Sequence, residues 1–174
     1  MTAVRFTFDG ARSCVWINAR SNLHPINTET RGLRGWVEAT PLPDGALDLS
    51  APVEGALELS TDGLTSGNLL YDRELRRRID ARMYPTISGQ ITGVAATETP
   101  GRYTVGGDLS FHGKTRSFSQ EMTIHITDNT SITMVGEYVF DIREFDMKPP
   151  SMLMLKVYPE VGVMVELHGH LTDG

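Results

Sequence analysis

The residues best suited to chemistry are two histidines near the end of the sequence, His168 and His170, which stand two positions apart. Side chains at this spacing on a β-strand project to the same side, and with Glu166 they could share a metal ion. Val163 and Val165 occupy the opposite parity, which is the apolar face of the same run. We therefore expect the histidine pair to face solvent, and we predict no metal site.

Two other side chains could contact the polar end of a bound molecule. His24 lies in the polar run Asn22-Leu23-His24-Pro25, where it could stand at the mouth of a cavity or be an ordinary loop histidine. Arg143 precedes Glu144 and Asp146. It could bind an anionic group, or it could form a structural salt bridge within its turn.

Nothing in the sequence predicts a catalytic residue. Cys14 is the only cysteine, so an intrachain disulfide is impossible, and no metal-ligand spacing surrounds it. We expect it to be a small structural side chain. The sequence contains no GxSxG, HExxH, P-loop or GxGxxG motif. The serines near strand ends have no histidine and acid placed beside them, so the sequence favours a protein that is not an enzyme.

One stretch that is typical of a helix, Asn68 to Met83, interrupts a sequence otherwise patterned as β-strands. Leu75, Ile79 and Met83 recur every four residues and would share one face. Asn68 can cap the first turn, and Pro85 disfavours a longer helix. A lone amphipathic helix of this kind usually lies on a sheet or closes one end of a barrel, which often encloses a ligand cavity.

Charges on the predicted helix are arranged favourably. Asp72 and Arg76, and likewise Glu74 and Arg78, form pairs four residues apart with the acid first. The arginine-rich side could be a solvated face or an anion-binding patch.

Period-two alternation of apolar and polar residues predicts about eight or nine strands with the spacing of an all-β antiparallel barrel. The polar stretch Asn22 to Gly32 is expected to be a loop, Pro41 to Pro52 a turn-rich connection, and Lys148 to Pro159 a long connection. The length of 174 residues favours one domain over residues 1–174.

Small residues fall on the apolar parity of several predicted strands. Such residues suit sharp bending of a barrel, or they leave room for a ligand inside it. A filled core would give the same apolar pattern, so both interpretations stay open. These residues are Ala19, Gly35, Ala39, Gly55, Gly89 and Gly107.

Composition narrows the classes of partner. A net charge of -6 argues against nucleic-acid binding, for which a basic surface is expected. No apolar run approaches the roughly 18 residues that a transmembrane helix needs, and the first residues do not resemble a secretion signal. We expect a cytoplasmic protein without a membrane span, and the sequence leaves a homodimer open.

Four segments together resemble the YceI-like family of lipocalin-like, polyisoprenoid-binding barrels. The stretch LTSGNLLYDRELRR…YPTI, from Leu64 to Ile87, is similar to the family's helix and its flanks. Asp9 to Ser13, Leu109 to Thr115 and Ile142 to Asp146 are similar to family turns in the same order. The resemblance covers nearly the whole chain.

The resemblance implies an elongated lipocalin-like β-barrel that holds an isoprenoid or quinone-like lipid, with no other cofactor. Inward parity then predicts the residues that line the tube, and His24 and Arg143 are candidates for contact with the polar end. The predicted lining is Val15, Ile17, Leu33, Val37, Leu57, Leu59, Leu109, Phe111, Tyr138, Phe140, Val163 and Val165.

Two alternatives remain at this point. The first is a small enzyme that acts on an apolar substrate in the same cavity, with Arg143 or His24 polarising it. The second is an interaction module with a filled barrel, which would use the arginine-rich helix or the segment KPPSMLMLKVYP as its surface.

Overall fold

The computed structural model describes residues 2–149, 151–152 and 154–173, and strands dominate it. One α-helix, α1 (Leu69–Arg78), and two short 3-10 helices, Thr61–Gly63 and Ile142–Phe145, interrupt the strands. The strands are β1 (Val4–Phe8), β2 (Cys14–Ser21), β3 (Ile26–Thr30), β4 (Arg34–Ala39), β5 (Glu54–Ser60), β6 (Thr86–Ala96), β7 (Arg102–Phe111), β8 (Lys114–Thr127), β9 (Ser131–Asp141), β10 (Ser151–Met152) and β11 (Leu155–Leu171).

Eight antiparallel strands close into a barrel in the order β1-β4-β5-β6-β7-β8-β9-β11. Closure occurs at β1, where Phe6 pairs with Val37 of β4 on one side and with Leu171 of β11 on the other. The structure confirms the predicted all-β, lipocalin-like barrel with one helix.

The last strand, β11, is the longest, with 17 residues, and it pairs along both edges. One edge pairs with β9. The other edge is divided between β1 near its end and β2 along the rest. The β2–β3 hairpin therefore extends the wall beyond β1. The outer edge of β3 is bridged to the segment before α1 by Glu29 and Thr65, which exchange backbone hydrogen bonds of 3.0 and 3.1 Å.

One end of the barrel is a filled core. Phe6, Val37, Ile124 and Ile132 are almost fully buried there. The connection predicted from Pro41 to Pro52 covers this end. Its Leu47 donates a backbone hydrogen bond to the Tyr103 hydroxyl, and its Gly45 carbonyl accepts one from Ile126.

The helix covers the other end. Asn68 caps it as predicted, since the Asn68 side chain accepts hydrogen bonds from the backbone N–H groups of Leu70 and Tyr71 at 3.0 and 3.2 Å. Ile79 is buried in a second apolar cluster that includes Phe111 and Phe145. No helix in the described part of the chain is long and apolar enough to cross a bilayer.

The predicted helix was too long. It ends at Arg78, and Ile79 is its C-terminal cap. Asp80 then takes a left-handed conformation with φ of 51°, which turns the backbone away from the helical path. Met83 is consequently 67% exposed and does not share the buried face with Ile79.

The predicted loop from Asn22 to Gly32 was also wrong, because it contains β3. The buried positions of β3 are Thr28 and Thr30, which supply no apolar alternation. The predicted connection from Lys148 to Pro159 likewise contains β10 and the start of β11.

Most of the inward glycines do not face open space. A β-carbon at Gly107 would lie 2.3 Å from the Gln90 carbonyl oxygen and 2.7 Å from the Phe118 ring. One at Gly35 would lie 2.3 Å from the Ala56 carbonyl oxygen. These two glycines serve close packing of the wall, and among the four glycines of the set the clear space is at Gly89, where the nearest atom would be 3.8 Å away.

Candidate functional site

Two apolar cavities lie beside the filled core, and core residues such as Met122, Met134 and Leu167 border one of them. The helix-side cavity, of about 130 Å³, lies between α1 and the strands β2, β3 and β11. The barrel cavity, of about 150 Å³, lies among strands β5 to β9 and β11. Ile87, Leu109 and Phe140 line both cavities, so the two spaces adjoin. An apolar cavity of about 150 Å³ suffices to bind a molecule the size of benzene.

A row of aromatic rings runs from the helix-side cavity to the barrel cavity. Phe145 lies between Phe111 and Phe140, with ring centroids 5.9 and 5.8 Å apart. The row continues from Phe140 through Tyr138 to Phe118 at 6.4 and 6.3 Å. These distances are typical of interacting aromatic pairs. Phe111, Phe140, Tyr138 and Phe118 each border at least one of the cavities, whereas Phe145 packs behind Phe111 and Phe140 and lines neither.

Several inward residues at the cavities remain partly accessible, although others, such as Ile79 and Met122, are almost fully buried. Leu109, Tyr138 and Phe140 point inward but are only half-buried, whereas Phe6 at the filled end is completely buried. The hollow half of the interior therefore has space that solvent-sized molecules can reach.

The polar atoms of the helix-side cavity come mainly from α1 and the segment before it. The Asp72 carboxylate is buried and accepts hydrogen bonds from the backbone N–H of Ser66 at 2.8 Å, the Ser66 hydroxyl at 2.6 Å and the Thr65 hydroxyl at 3.3 Å. Burial is the largest influence on the Asp72 pKa and raises it. The hydrogen bonds from Ser66 and Thr65 outweigh burial, so the pKa lies below its ordinary value.

Glu74 also borders this cavity, but its charge is neutralised locally. Arg78 and Arg77 donate hydrogen bonds to one Glu74 oxygen at 2.8 and 3.0 Å. These hydrogen bonds, first Arg77 and then Arg78, lower the Glu74 pKa. The predicted Glu74–Arg78 pair is confirmed, whereas Asp72 bonds to Ser66 and Thr65 and makes no ion pair with Arg76 within 4.0 Å.

A histidine and a tyrosine join the β2–β3 loop to the helix. His24 Nε2 lies 3.0 Å from the hydroxyl of Tyr71, which lines the helix-side cavity. His24 Nδ1 lies 3.0 Å from the Pro25 carbonyl oxygen. A carbonyl only accepts, so Nδ1 carries the hydrogen and, in neutral His24, Nε2 accepts from the Tyr71 hydroxyl. His24 thus lies one hydrogen bond away from the cavity wall.

The structure brings nine of the predicted lining residues to the two cavities. Val15, Leu33 and Val37 lie elsewhere, packed in the filled core, and border neither cavity. The residues at the cavities are Ile17, Leu57, Leu59, Leu109, Phe111, Tyr138, Phe140, Val163 and Val165.

Arg143 lies outside both cavities. Its guanidinium forms a salt bridge with Asp141, with the closest atoms 2.6 Å apart, and most of its side chain is exposed. This hydrogen bond raises the Arg143 pKa and lowers that of Asp141. The arrangement matches the structural alternative that the sequence left open for this arginine.

The remaining candidates for chemistry have separate partners. His168 Nε2 contacts a Glu166 oxygen at 2.9 Å, and His170 faces Arg12. Within residues 2–149, 151–152 and 154–173, no three histidine, cysteine or acidic side chains are grouped to hold a metal ion. Cys14 is buried and unpaired, and burial raises the pKa of its thiol.

Sequence reasoning missed several lining residues. Tyr71 and Leu75 of α1, with Met147 and Leu155 from the long connection, line the helix-side cavity. Phe118 of β8 lines the barrel cavity. Phe118 could have been found by extending the parity of Met122 back along its strand, but Met147 and Leu155 gave no periodic signal.

The fold and the cavities define a lipocalin-like barrel with an internal apolar space beneath a helix. The YceI-like domain family matches residues 6–169, and the chain belongs to that family. No curated protein matches the sequence.

Solved structures of low sequence identity share the fold. BcnA of Burkholderia cenocepacia superposes with a TM-score of 0.75 at 17% identity, over 92% of this chain and 98% of BcnA. A polyisoprenoid-binding domain of Saccharophagus degradans gives 0.75 at 11% identity, over 97% and 99%. The YceI protein of Campylobacter jejuni gives 0.66 at 10% identity, over 85% and 86%.

Proposed function

We propose that this protein binds one elongated apolar ligand, of the isoprenoid or quinone class, in the two adjoining cavities. The observation that carries the proposal is the pair of apolar cavities that share Ile87, Leu109 and Phe140. Membership of a family whose similar structures include a polyisoprenoid-binding domain supports the ligand class.

Binding follows from burial of the ligand's chain. Each methylene group that leaves water contributes about 0.8 kcal/mol before the costs of association. The chain of the ligand would lie along the aromatic row in the barrel cavity. Its polar end would lie in the helix-side cavity, near the Tyr71 hydroxyl and the Ser66 and Asp72 oxygens. This mode of binding requires no catalytic group.

The direct experiment is mass spectrometry of lipid extracted from freshly purified protein, followed by titration with a short isoprenoid quinone and a hydrocarbon of the same length. We expect the wild type to bind both, and the quinone more tightly. Tyr71→Phe should weaken only the quinone, by several-fold, since one hydrogen bond is worth about 0.5–1.5 kcal/mol.

Gly89→Leu tests the location of the ligand. A β-carbon at Gly89 meets nothing nearer than 3.8 Å, so a leucine there can enter the barrel cavity without disturbing the backbone. It should weaken both ligands by on the order of tenfold or more, since it occupies space for at least two methylene groups.

Gly93→Leu is the matched control. It lies on the same strand, is exposed, and would place its β-carbon more than 4 Å from any other atom. It should leave both affinities unchanged. Equal binding by wild type and Gly89→Leu, or no binding of either ligand by wild type, would contradict the proposal.

A further inference from the structure

The outer face of α1 combines exposed leucines with arginines. Leu69 is 80% exposed and Leu70 is 64% exposed, although both belong to the first turn of the helix. At 100° per residue, Arg73 and Arg77 fall on the same side, and both are exposed. None of the four lines a cavity.

Two further exposed apolar side chains lie in segments that adjoin the helix. Leu23, 63% exposed, is in the β2–β3 loop beside His24, which contacts Tyr71 of the helix. The same loop reaches the turn before β11, where the Asn22 side chain donates a hydrogen bond to the Met154 carbonyl at 2.9 Å. Met154 is 81% exposed.

We call this set the rim patch: Leu23, Leu69, Leu70, Met154, Arg73 and Arg77. Its members lie on α1, in the β2–β3 loop and in the turn before β11, and α1, the β2–β3 hairpin and the start of β11 also form part of the wall of the helix-side cavity. Exposed apolar residues grouped at one place on a protein mark an interaction site more often than isolated ones do.

The charge near the rim patch is opposite in sign to that of the whole chain. Residues 69–83 contain five arginines and three acids, whereas the chain carries a net charge of -6. One of the three acids, Asp72, is buried, and Glu74 is paired with Arg77 and Arg78. Among the described residues Arg73 has no ion-pair partner within 4.0 Å. The nearest exposed acid of the segment, Asp80, lies beyond the end of the helix.

We propose that the rim patch docks this protein on the surface of an anionic lipid bilayer, so that the helix-side cavity exchanges its ligand with the membrane. The inference rests on the proposed function. Leucine and methionine side chains insert at the level of the headgroups and arginines pair with anionic lipids, the combination typical of helices that lie in a membrane interface. An acidic protein partner would use the arginines but would not require exposed leucines beside a lipid cavity.

The test is co-sedimentation of the full chain with vesicles of phosphatidylcholine alone and with vesicles that also contain phosphatidylglycerol. We expect binding to the mixed vesicles that weakens as salt rises. Arg73→Gln should reduce it about fivefold, because one arginine near an anionic surface contributes about 1 kcal/mol. The double variant Leu69→Ser, Leu70→Ser should reduce it further and should also slow transfer of a fluorescent lipid out of the vesicles.

Matched controls lie at the filled end of the barrel. Leu171→Ser changes an exposed leucine of β11 that pairs with β1, and Arg102→Gln changes an exposed arginine of β7. Both should bind vesicles like the wild type. We call Arg73→Gln and the double leucine variant the rim variants. If the wild type does not bind the mixed vesicles, or if the rim variants bind them as well as the controls do, the inference is wrong.

Titration with the short quinone in solution separates this inference from the proposed function. The rim variants should keep wild-type affinity for the dissolved quinone, because the altered side chains do not line either cavity. Loss of vesicle binding together with loss of quinone binding would overturn the docking role and indicate a disturbed cavity. Vesicle binding by a wild type that binds no quinone would overturn the exchange role.

Discussion

A single buried carboxylate connects three elements around the helix-side cavity. Asp72 of α1 accepts its hydrogen bonds from Ser66 and Thr65. The Thr65 backbone in turn pairs with Glu29 of β3. Asp72 therefore helps to hold the helix against the edge of the β2–β3 hairpin.

The depressed pKa of Asp72 makes this contribution dependent on pH. A carboxyl group with a lower pKa in the folded state stabilises that state above its unfolded pKa of about 3.9, and loses the effect as pH falls through the folded value. We expect Asp72→Asn to lower the free energy of unfolding by about 1–3 kcal/mol near pH 7. The difference from wild type should shrink below about pH 4.

Chemical denaturation of both proteins at pH 7 and pH 3 measures this effect. Asp48 is a suitable control for two reasons. Hydrogen bonds from Ser50 also lower its pKa, and it lies in the loop at the filled end, so it does not hold the helix. A pH-independent difference between wild type and Asp72→Asn would show that the carboxylate's charge is not involved.

At the scale of single residues, the sequence showed that Asp72 is a charged helix residue but did not predict which groups bond to it. The spacing of Asp72 and Arg76 predicted an ion pair, but the structure gives Asp72 the hydrogen-bond donors of Ser66 and Thr65. Periodicity along a helix reports neighbours on that helix only. The bend that brings residues 65–66 back to the helix is a tertiary feature, and the pattern of side chains does not encode it.

At the scale of elements, the helix has one face that carries stability and one that does not. Ile79 is buried in the cluster with Phe111 and Phe145, whereas Arg77 is exposed. Ile79→Ala should cost about 2–5 kcal/mol of unfolding free energy. Arg77→Ala should cost less than about 1 kcal/mol, because its pair with Glu74 is at the surface.

Urea denaturation of the two variants measures both costs. Leu75→Ala should fall between them, because Leu75 is half-buried and already borders the helix-side cavity. Comparable losses from Ile79→Ala and Arg77→Ala would contradict the assignment of the two faces.

Strand prediction succeeded where the alternation was apolar and failed where it was not. In β8 and β9 the apolar positions of the alternation, such as Ile124 and Met134, are buried. β3 was missed because its buried positions are threonines. The Thr28 hydroxyl donates a hydrogen bond to the Ile17 carbonyl, so its burial is satisfied without an apolar side chain.

At the scale of the whole molecule, the interior is divided into a filled half and a hollow half. Phe6→Ala removes a completely buried ring from the filled half and should cost about 3–5 kcal/mol. Phe140→Ala removes a ring that already borders both cavities and should cost clearly less. Denaturant titration of the ligand-free variants compares them, and a larger loss from Phe140→Ala would mean that the interior near it is packed.

The alternation of side chains along the strands could not predict which part of the interior is filled and which is hollow. Val37 and Phe140 both lie on inward faces of their strands, yet one is in the core and the other at the cavities. Alternation shows which side of a strand faces inward but not how far the opposite wall stands. The inward glycines were equally ambiguous, since Gly107 accommodates the Phe118 ring whereas Gly89 faces space.

The two-sided pairing of β11 has a consequence for how the chain folds. The contact between Thr7 and Thr172 joins positions separated by 165 residues, and the barrel closes only through such contacts. Pairings so distant along the sequence impose a large entropic cost on the folding transition state, which is typical of slow folders. While the chain is being synthesised, β1 and β2 emerge long before β11, with the edges that β11 will occupy still unpaired. Until the last strand leaves the ribosome, the nascent protein is exposed to edge-to-edge association, the hazard that molecular chaperones counter.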